Sequence, residues 1–234
     1  MWNEADSLAI VANAGVSVVP HRLCRSADEA AQAFGAVGSP VAAKGCSADV
    51  THKSELGIVY LELASEAAVR ESFQRIATTL GARGLAFDGV IVARMVKGCH
   101  ELMIGAHRDP VFGPVIAFGD GGKYVEAMPD VRVLMPTATR EDVLRALLSL
   151  RIAPLLRGVR GEPPMDVEAF IDSVMAVARL MADPDSRVES LDINPVVVGE
   201  SGKGCVAVDA VVVTVDRGEH LFTFRDPSQR FPGS

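Results

Sequence analysis

The richest group of reactive side chains is VAAKGCSADVTHKSELG, residues 41–57. An apolar run delivers Lys44, and a loop of small and polar residues then carries Asp49, Thr51, His52 and Lys53. A lysine at a strand end holds a phosphate as a point charge, while loop N–H groups cradle its oxygens. An imidazole beside it is a nucleophile or acid–base group near neutral pH. A solvated surface loop with no chemistry fits the same spacing equally well.

A second group is FGPVIAFGDGGKYVEAMPD, residues 112–130, where Gly119, Gly121 and Gly122 follow an apolar strand. Glycines there allow close backbone approach to an anion; a tight hairpin needs them too. Lys123 and Glu126 read as solvated.

The third group is LDINPVVVGESGKGCVAVDAVVV, residues 191–213. Alternation puts Ser190, Asp192 and Asn194 on one face and Leu191 and Ile193 on the other. A hairpin turning near Ser201 and Gly202 predicts Val198 opposite Cys205 and Asn194 opposite Asp209. A carboxylate facing a carboxamide, with Asp192 nearby, suits Mg²⁺, which takes few protein oxygens and shares the rest with phosphates or water. A buried Asp–Asn hydrogen bond is the simpler alternative. Elsewhere His21, His100, His107 and His220 lie apart and read as structural or solvated. Arg157 and Arg160 are candidates for a phosphate or carboxylate, or for loop salt bridges.

The elements that must position these groups alternate between helix and strand. Helices are predicted over Asn3 to Ala14, stopped by Gly15, and from a Ser26/Glu29 capping box to about Phe34. Others run from Ser65 to about Leu80 and from Thr139/Asp142 to about Leu148. Asp166 opens the longest, to about Ala182. Strands are predicted at Val16–Val19, Val41–Lys44, Ile58–Leu63, Gly89–Val96, Glu101–His107, Pro114–Phe118, Val131–Met135, Val188–Asn194 and Val206–Val215. Many of these follow one another too closely for helical crossovers, so the fold is α+β with much antiparallel pairing.

Across 234 residues, hydrophobic types make up 49% and charged types 23%, as in a soluble globular enzyme. A net charge of −7 without a long basic run argues against nucleic acid or an anionic membrane as partner. The acidic N-terminus does not read as an export signal. Cys24, Cys46, Cys99 and Cys205 form no CxxC pair, which argues against zinc and favours a cytoplasmic location.

These segments, in this order and with GVIVARMVKGCHELMIGAHRDPVFGPVIAFGDGG and LLRGVRGEPPMD between them, resemble the ATP-grasp β subunit or β-like domain of ADP-forming acetate–CoA ligases and related acyl-CoA synthetases. The likeness runs from about Glu4 to about Val215. It implies an ATP-grasp fold of two α+β subdomains clasping a nucleotide. A small lid would span roughly residues 22–93, a larger part residues 1–21 and 94–217, and a loose tail 218–234. It implies ATP or ADP held by Lys44, Thr51 and Lys53, by the hinge Ala93, Arg94, Met95 and Val96 next to adenine, and by Glu101 on the ribose side. Mg²⁺ would sit on Asn194 and Asp209, and His52 would carry the phosphoryl group. CoA would bind a separate α subunit in an α2β2-type assembly. The sequence departs from the family pattern in having Ala93-Arg94 where Gln-Glu is usual. Ile58 replaces a glycine expected beside the phosphate loop, Ala48 replaces a proline, and Leu134 replaces an arginine, with Arg132 close by. A degenerate nucleotide-binding module without turnover is the alternative these departures suggest.

Overall fold

The computed structural model describes residues 1–50, 53, 55–122 and 128–215. Thr51, His52, Lys123, Glu126, His220 and the predicted tail 218–234 therefore lie outside the described residues.

The chain begins with α1 (Glu4–Asn13), whose N-cap Asn3 accepts from the Asp6 N–H. Gly15 follows it with φ +104°, the backbone conformation glycine adopts without a Cβ penalty. Next come β1 (His21–Cys24), α2 (Ala27–Val37), β2 (Val41–Cys46), β3 (Val59–Leu63), α3 (Glu66–Ala82) and β4 (Gly89–Arg94). Ser26 accepts from Glu29 N–H at the head of α2, but the Glu29 carboxylate reaches past the cap to Arg25 N–H. These strands form a four-stranded antiparallel sheet in the order β1-β4-β2-β3, with α2 and α3 packed on one face.

A second sheet is built from β5 (His100–Asp109), β6 (Gly113–Asp120), β7 (Val131–Leu134), β8 (Val188–Val198), β9 (Cys205–Ala207) and β10 (Ala210–Thr214). Its order is β10-β8-β5-β6-β7, with β9 also on β8, and its pairings are antiparallel. Between β7 and β8 run α4 (Arg140–Leu147), α5 (Ala153–Leu156) and α6 (Val167–Ala182). The apolar faces of α1, α4 and α6 close the main core against this sheet.

The sequence expectations need three corrections. Val16–Val19 is not a strand: Val18 makes one isolated parallel bridge to Ala207 before Pro20, and the ladder forms instead at His21–Cys24, whose composition gives little strand signal. The longest helix among the described residues is α3, with 17 residues against 16 in α6. The short α5 inside residues 150–160 carried no apolar period long enough to announce it.

Candidate functional site

Lys44 lies on β2, which is buried on both faces. Val41 and Ala43 face the helices, so alternation turns Ala42, Lys44 and Cys46 to the opposite side. There Cys46 packs with Ile91 and Ala93 of β4 and with Val19, Ala5 and Val206 from the other half, forming the junction between the two sheets. Lys44 enters this junction paired in register with Ile91. It is 6% exposed.

The other half supplies the hairpin. Val196↔Ala207, Val197↔Val206 and Val198↔Cys205 pair on one side of it, and Ala210↔Ile193 and Val211↔Asp192 on the other. That is the register read from the sequence. Asn194 and Asp209 fall between these two runs, where the ladder is interrupted. Opposite β5 the pairing skips from Leu102↔Val196 to Ile104↔Ile193, so β8 carries an extra residue around Asn194 and Pro195. Such a bulge re-aims a side chain out of the ladder. Asn194 Oδ1 accepts the Gly122 N–H at 2.9 Å, which ties the glycine loop to the hairpin.

The two halves meet through charge. Lys44 Nζ donates to Glu4 Oε1 at 2.9 Å and to the Val208 carbonyl at 2.8 Å, and lies 3.8 Å from Asp209 Oδ2. Lys53 Nζ lies 2.6 Å from Glu4 Oε2 and 3.1 Å from both carboxylate oxygens of Asp209. Two ammoniums thus share two carboxylates. Burial alone would raise the Glu4 pKa, but Lys44 and Lys53 more than offset it and hold the carboxyl below its ordinary value. Burial would likewise lower the Lys53 pKa; Glu4 and Asp209 outweigh it and raise it. Asp209 is the weaker acid: burial first and the Glu4 charge next raise its pKa, against the pull of both lysines. Burial and then Asp209 raise that of Asp192, whose side chain still reaches solvent.

Glu4 is the residue that sequence reasoning missed. It lies on the buried stripe of α1 with Ser7, Leu8 and Val11, at spacings i, i+3, i+4 and i+7. A carboxylate on the apolar stripe of a helix was the available signal.

The remaining expected residues are placed as follows. Ala93 is buried in the junction, and Arg94 turns its Nε to the Val37 carbonyl at the end of α2, a favourable place for a cation. The Met95 N–H is donated to the Pro40 carbonyl, so a contact from Met95 to a base would go through its own carbonyl. Val96 packs at the junction, and Glu101, exposed on β5, stands beside Gly122. Asp49 braces its own loop by accepting the Ala86 N–H. Ile58 borders the loop through its N–H, which donates to the Lys53 carbonyl. It is fully buried in the core under β2, where it fills the space left by Gly45: a Cβ on that glycine would meet Ile58 Cδ1 and Ile76 Cγ2, each at 2.9 Å. His21 Nδ1 donates to the Val19 carbonyl, His100 pairs with Asp120, and Arg157 and Arg160 are exposed.

The residues present fit Mg²⁺. Asp209, Asn194 and Asp192 offer only hard oxygen donors. Among the described residues, no group of three or more His, Cys, Asp and Glu side chains could hold a metal alone. Mg²⁺ takes few protein oxygens and completes its shell with phosphate oxygens and water.

Residues 1–214, which include both sheets, match the ATP-grasp domain. The chain belongs to the ATP-grasp family. It is 33% identical to the β subunit of ADP-forming acetate–CoA ligase II from Pyrococcus furiosus, over 90% of each chain. It is 37% identical to ADP-forming acetate–CoA ligase I of Archaeoglobus fulgidus over 86% of this chain, but spans 30% of that protein's length. It spans 28% of a trans-feruloyl-CoA synthase of unknown prokaryotic origin, also at 37% identity. Among solved structures, the dinucleotide-forming acetyl-coenzyme A synthetase 1 of Korarchaeum cryptofilum, bound to coenzyme A and Ca-AMPCP, superposes with a TM-score of 0.84 at 31% identity, over 91% of this chain and 93% of that one. Another structure of that enzyme holds coenzyme A and Mg-AMPPCP, with a phosphohistidine segment pointing towards the nucleotide binding site.

Proposed function

We propose that this chain binds Mg-ATP or Mg-ADP at the junction of its two sheets and serves as the nucleotide half of an ADP-forming acyl-CoA synthetase. The observation that carries this reading is the convergence of Lys44 and Lys53 from one half with Glu4 and Asp209 from the other. In the ATP-forming direction, a CoA-binding partner converts acyl-CoA and phosphate to acyl phosphate and CoA. The His52 nitrogen then attacks phosphorus and the acid leaves as its carboxylate. A terminal oxygen of ADP next attacks the phosphorylated imidazole, giving ATP and free His52. Lys44 and Lys53 bind and orient the phosphates, and Asp209 and Asn194 hold Mg²⁺, which neutralises charge on the phosphate oxygens. Thr51, the neighbour of His52 in sequence, would contact the phosphates, Ala93 to Val96 would line the base, and Glu101 would meet the ribose. The sequence likeness favours an α subunit as the partner, in an α2β2-type assembly in the cytoplasm.

The test is His52→Ala assayed with the partner and radiolabelled ATP. It should bind Mg-ATP like the parent but neither take up label nor form acyl-CoA; normal turnover would end the assignment. The degenerate-module reading draws on Ala93-Arg94 and on the committed Met95 N–H, while the buried Ile58 lends it nothing. It predicts no turnover even with the partner present, and failure to bind Mg-ATP at millimolar concentration, measured by calorimetry on the purified chain, would favour it.

A further inference from the structure

Lys53 approaches Asp209 unlike any other cation at the site. Its ammonium is equidistant, 3.1 Å, from Oδ1 and Oδ2, so the positive charge lies between the two carboxylate oxygens. Lys44 comes no closer to that carboxylate than 3.8 Å and is held in place by Glu4 and the Val208 carbonyl. A cation arriving at Asp209 would therefore leave Lys44 where it is and compete with Lys53 directly. Lys53 is also the residue that follows His52 in the chain.

We propose that Lys53 is a tethered cation that occupies Asp209 in the nucleotide-free protein and yields it to a metal–nucleotide complex but not to the free metal. This rests on Asp209 being a metal ligand, as in the function proposed above. The charge balance supplies the reason. In formal charges, Glu4 and Asp209 against Lys44 and Lys53 sum to zero, and the Asp192 carboxylate at the rim adds one negative charge. A lone dication would turn that into a net positive charge among buried groups and would face the Lys53 ammonium across one carboxylate. A dication carried by a nucleotide arrives with surplus negative charge, and the phosphate oxygens offer the displaced ammonium a new partner. Lys53 need not enter bulk water to make the exchange, because Glu4 Oε2, 2.6 Å from its ammonium in the nucleotide-free structure, remains within reach as a partner. Glu4 is thus a positioning residue: it keeps Lys53 within reach of both states. The position of the Lys53 ammonium, next in sequence to the expected phosphoryl carrier, then reports whether metal–nucleotide is bound.

The experiment measures Mn²⁺ binding by electron paramagnetic resonance on the full chain without nucleotide, alongside calorimetry with Mg-ADP. Variants are Lys53→Met, the charge-balanced pair Glu4→Gln/Lys53→Met, Asp209→Asn alone, and each of the first two combined with Asp209→Asn. The pair keeps the buried charges matched if the single change fails to fold. The parent should bind free Mn²⁺ weakly. Removing Lys53 should tighten Mn²⁺ binding at least tenfold, and Asp209→Asn should abolish that gain. Folded Lys53→Met and paired variants with Mn²⁺ binding no tighter than the parent overturn the proposal, even where Asp209→Asn weakens Mg-ADP binding. If Asp209→Asn leaves Mg-ADP affinity untouched in the parent, the metal assignment itself falls, and the tethered-cation role with it.

Discussion

Replacing Glu4 by glutamine keeps the side-chain shape and removes one charge from the most buried ionic contact in the site. Each Glu4 oxygen faces a different ammonium, at 2.9 Å and 2.6 Å, and the side chain is 1% exposed. Breaking a buried ion pair from one side costs about 3–5 kcal/mol, because the partner's charge is left without compensation. Here the loss is softened: Lys44 keeps the Val208 carbonyl and Lys53 keeps both oxygens of Asp209. The lower end, about 3 kcal/mol, is therefore expected. For a chain of this size that corresponds to a fall in Tm of roughly 6–12 °C. Urea unfolding at neutral pH should show the midpoint shifted with an unchanged slope. The pH dependence adds a second readout. The Glu4 pKa is depressed below 4.5 in the folded state, so its stabilisation is fully present above that pH and drains away as the pH falls through the folded value. Glu4→Gln lacks this acid-side loss, so parent and variant should converge on acidification. A variant within about 0.5 kcal/mol of the parent at pH 7, the range of ordinary surface substitutions, would refute the clamp.

Gly45→Ala should cost about 1–3 kcal/mol by overpacking against Ile58 and Ile76, and Ile58→Val should recover part of it in a double-mutant thermal unfolding cycle. Gly122→Ala puts a Cβ 2.2 Å from Glu101 Oε2 at a backbone φ of +73°. The fold should survive while Mg-ADP binding weakens about tenfold, or ~1.4 kcal/mol, by calorimetry; unchanged affinity would detach Glu101 and the glycine loop from the nucleotide. Asp209→Asn and Asn194→Ala should each weaken Mg-ADP binding by up to a few kcal/mol while leaving metal-free ADP less affected. Equal losses with and without metal would count against them as ligands.

How much of this was legible beforehand depends on the range of the forces involved. Asn3, Ser26, Ser65, Thr139 and Asp166 announce their helices because a cap is settled within three or four residues. The β8–β9 and β8–β10 register followed from the turn and the period-2 pattern, which a slip of one residue would have turned inside out. Those local rules bring Asn194 and Asp209 to the same place without reference to the rest of the molecule. They could not say which side of β2 carried the chemistry, since both faces are buried, nor that Ile58 points into the core rather than at the phosphate loop. They mistook Val16–Val19 for a strand, because a β-branched run reads the same whether it joins a ladder or crosses between layers with a single bridge. Above all they were silent on Glu4. Its partners lie 40 or more residues away in sequence, on a strand and a loop that meet α1 only when the two sheets close on each other. A helix-terminal glutamate has no reason of its own to be buried; the tertiary structure buries it because two ammoniums converge there and need its charge.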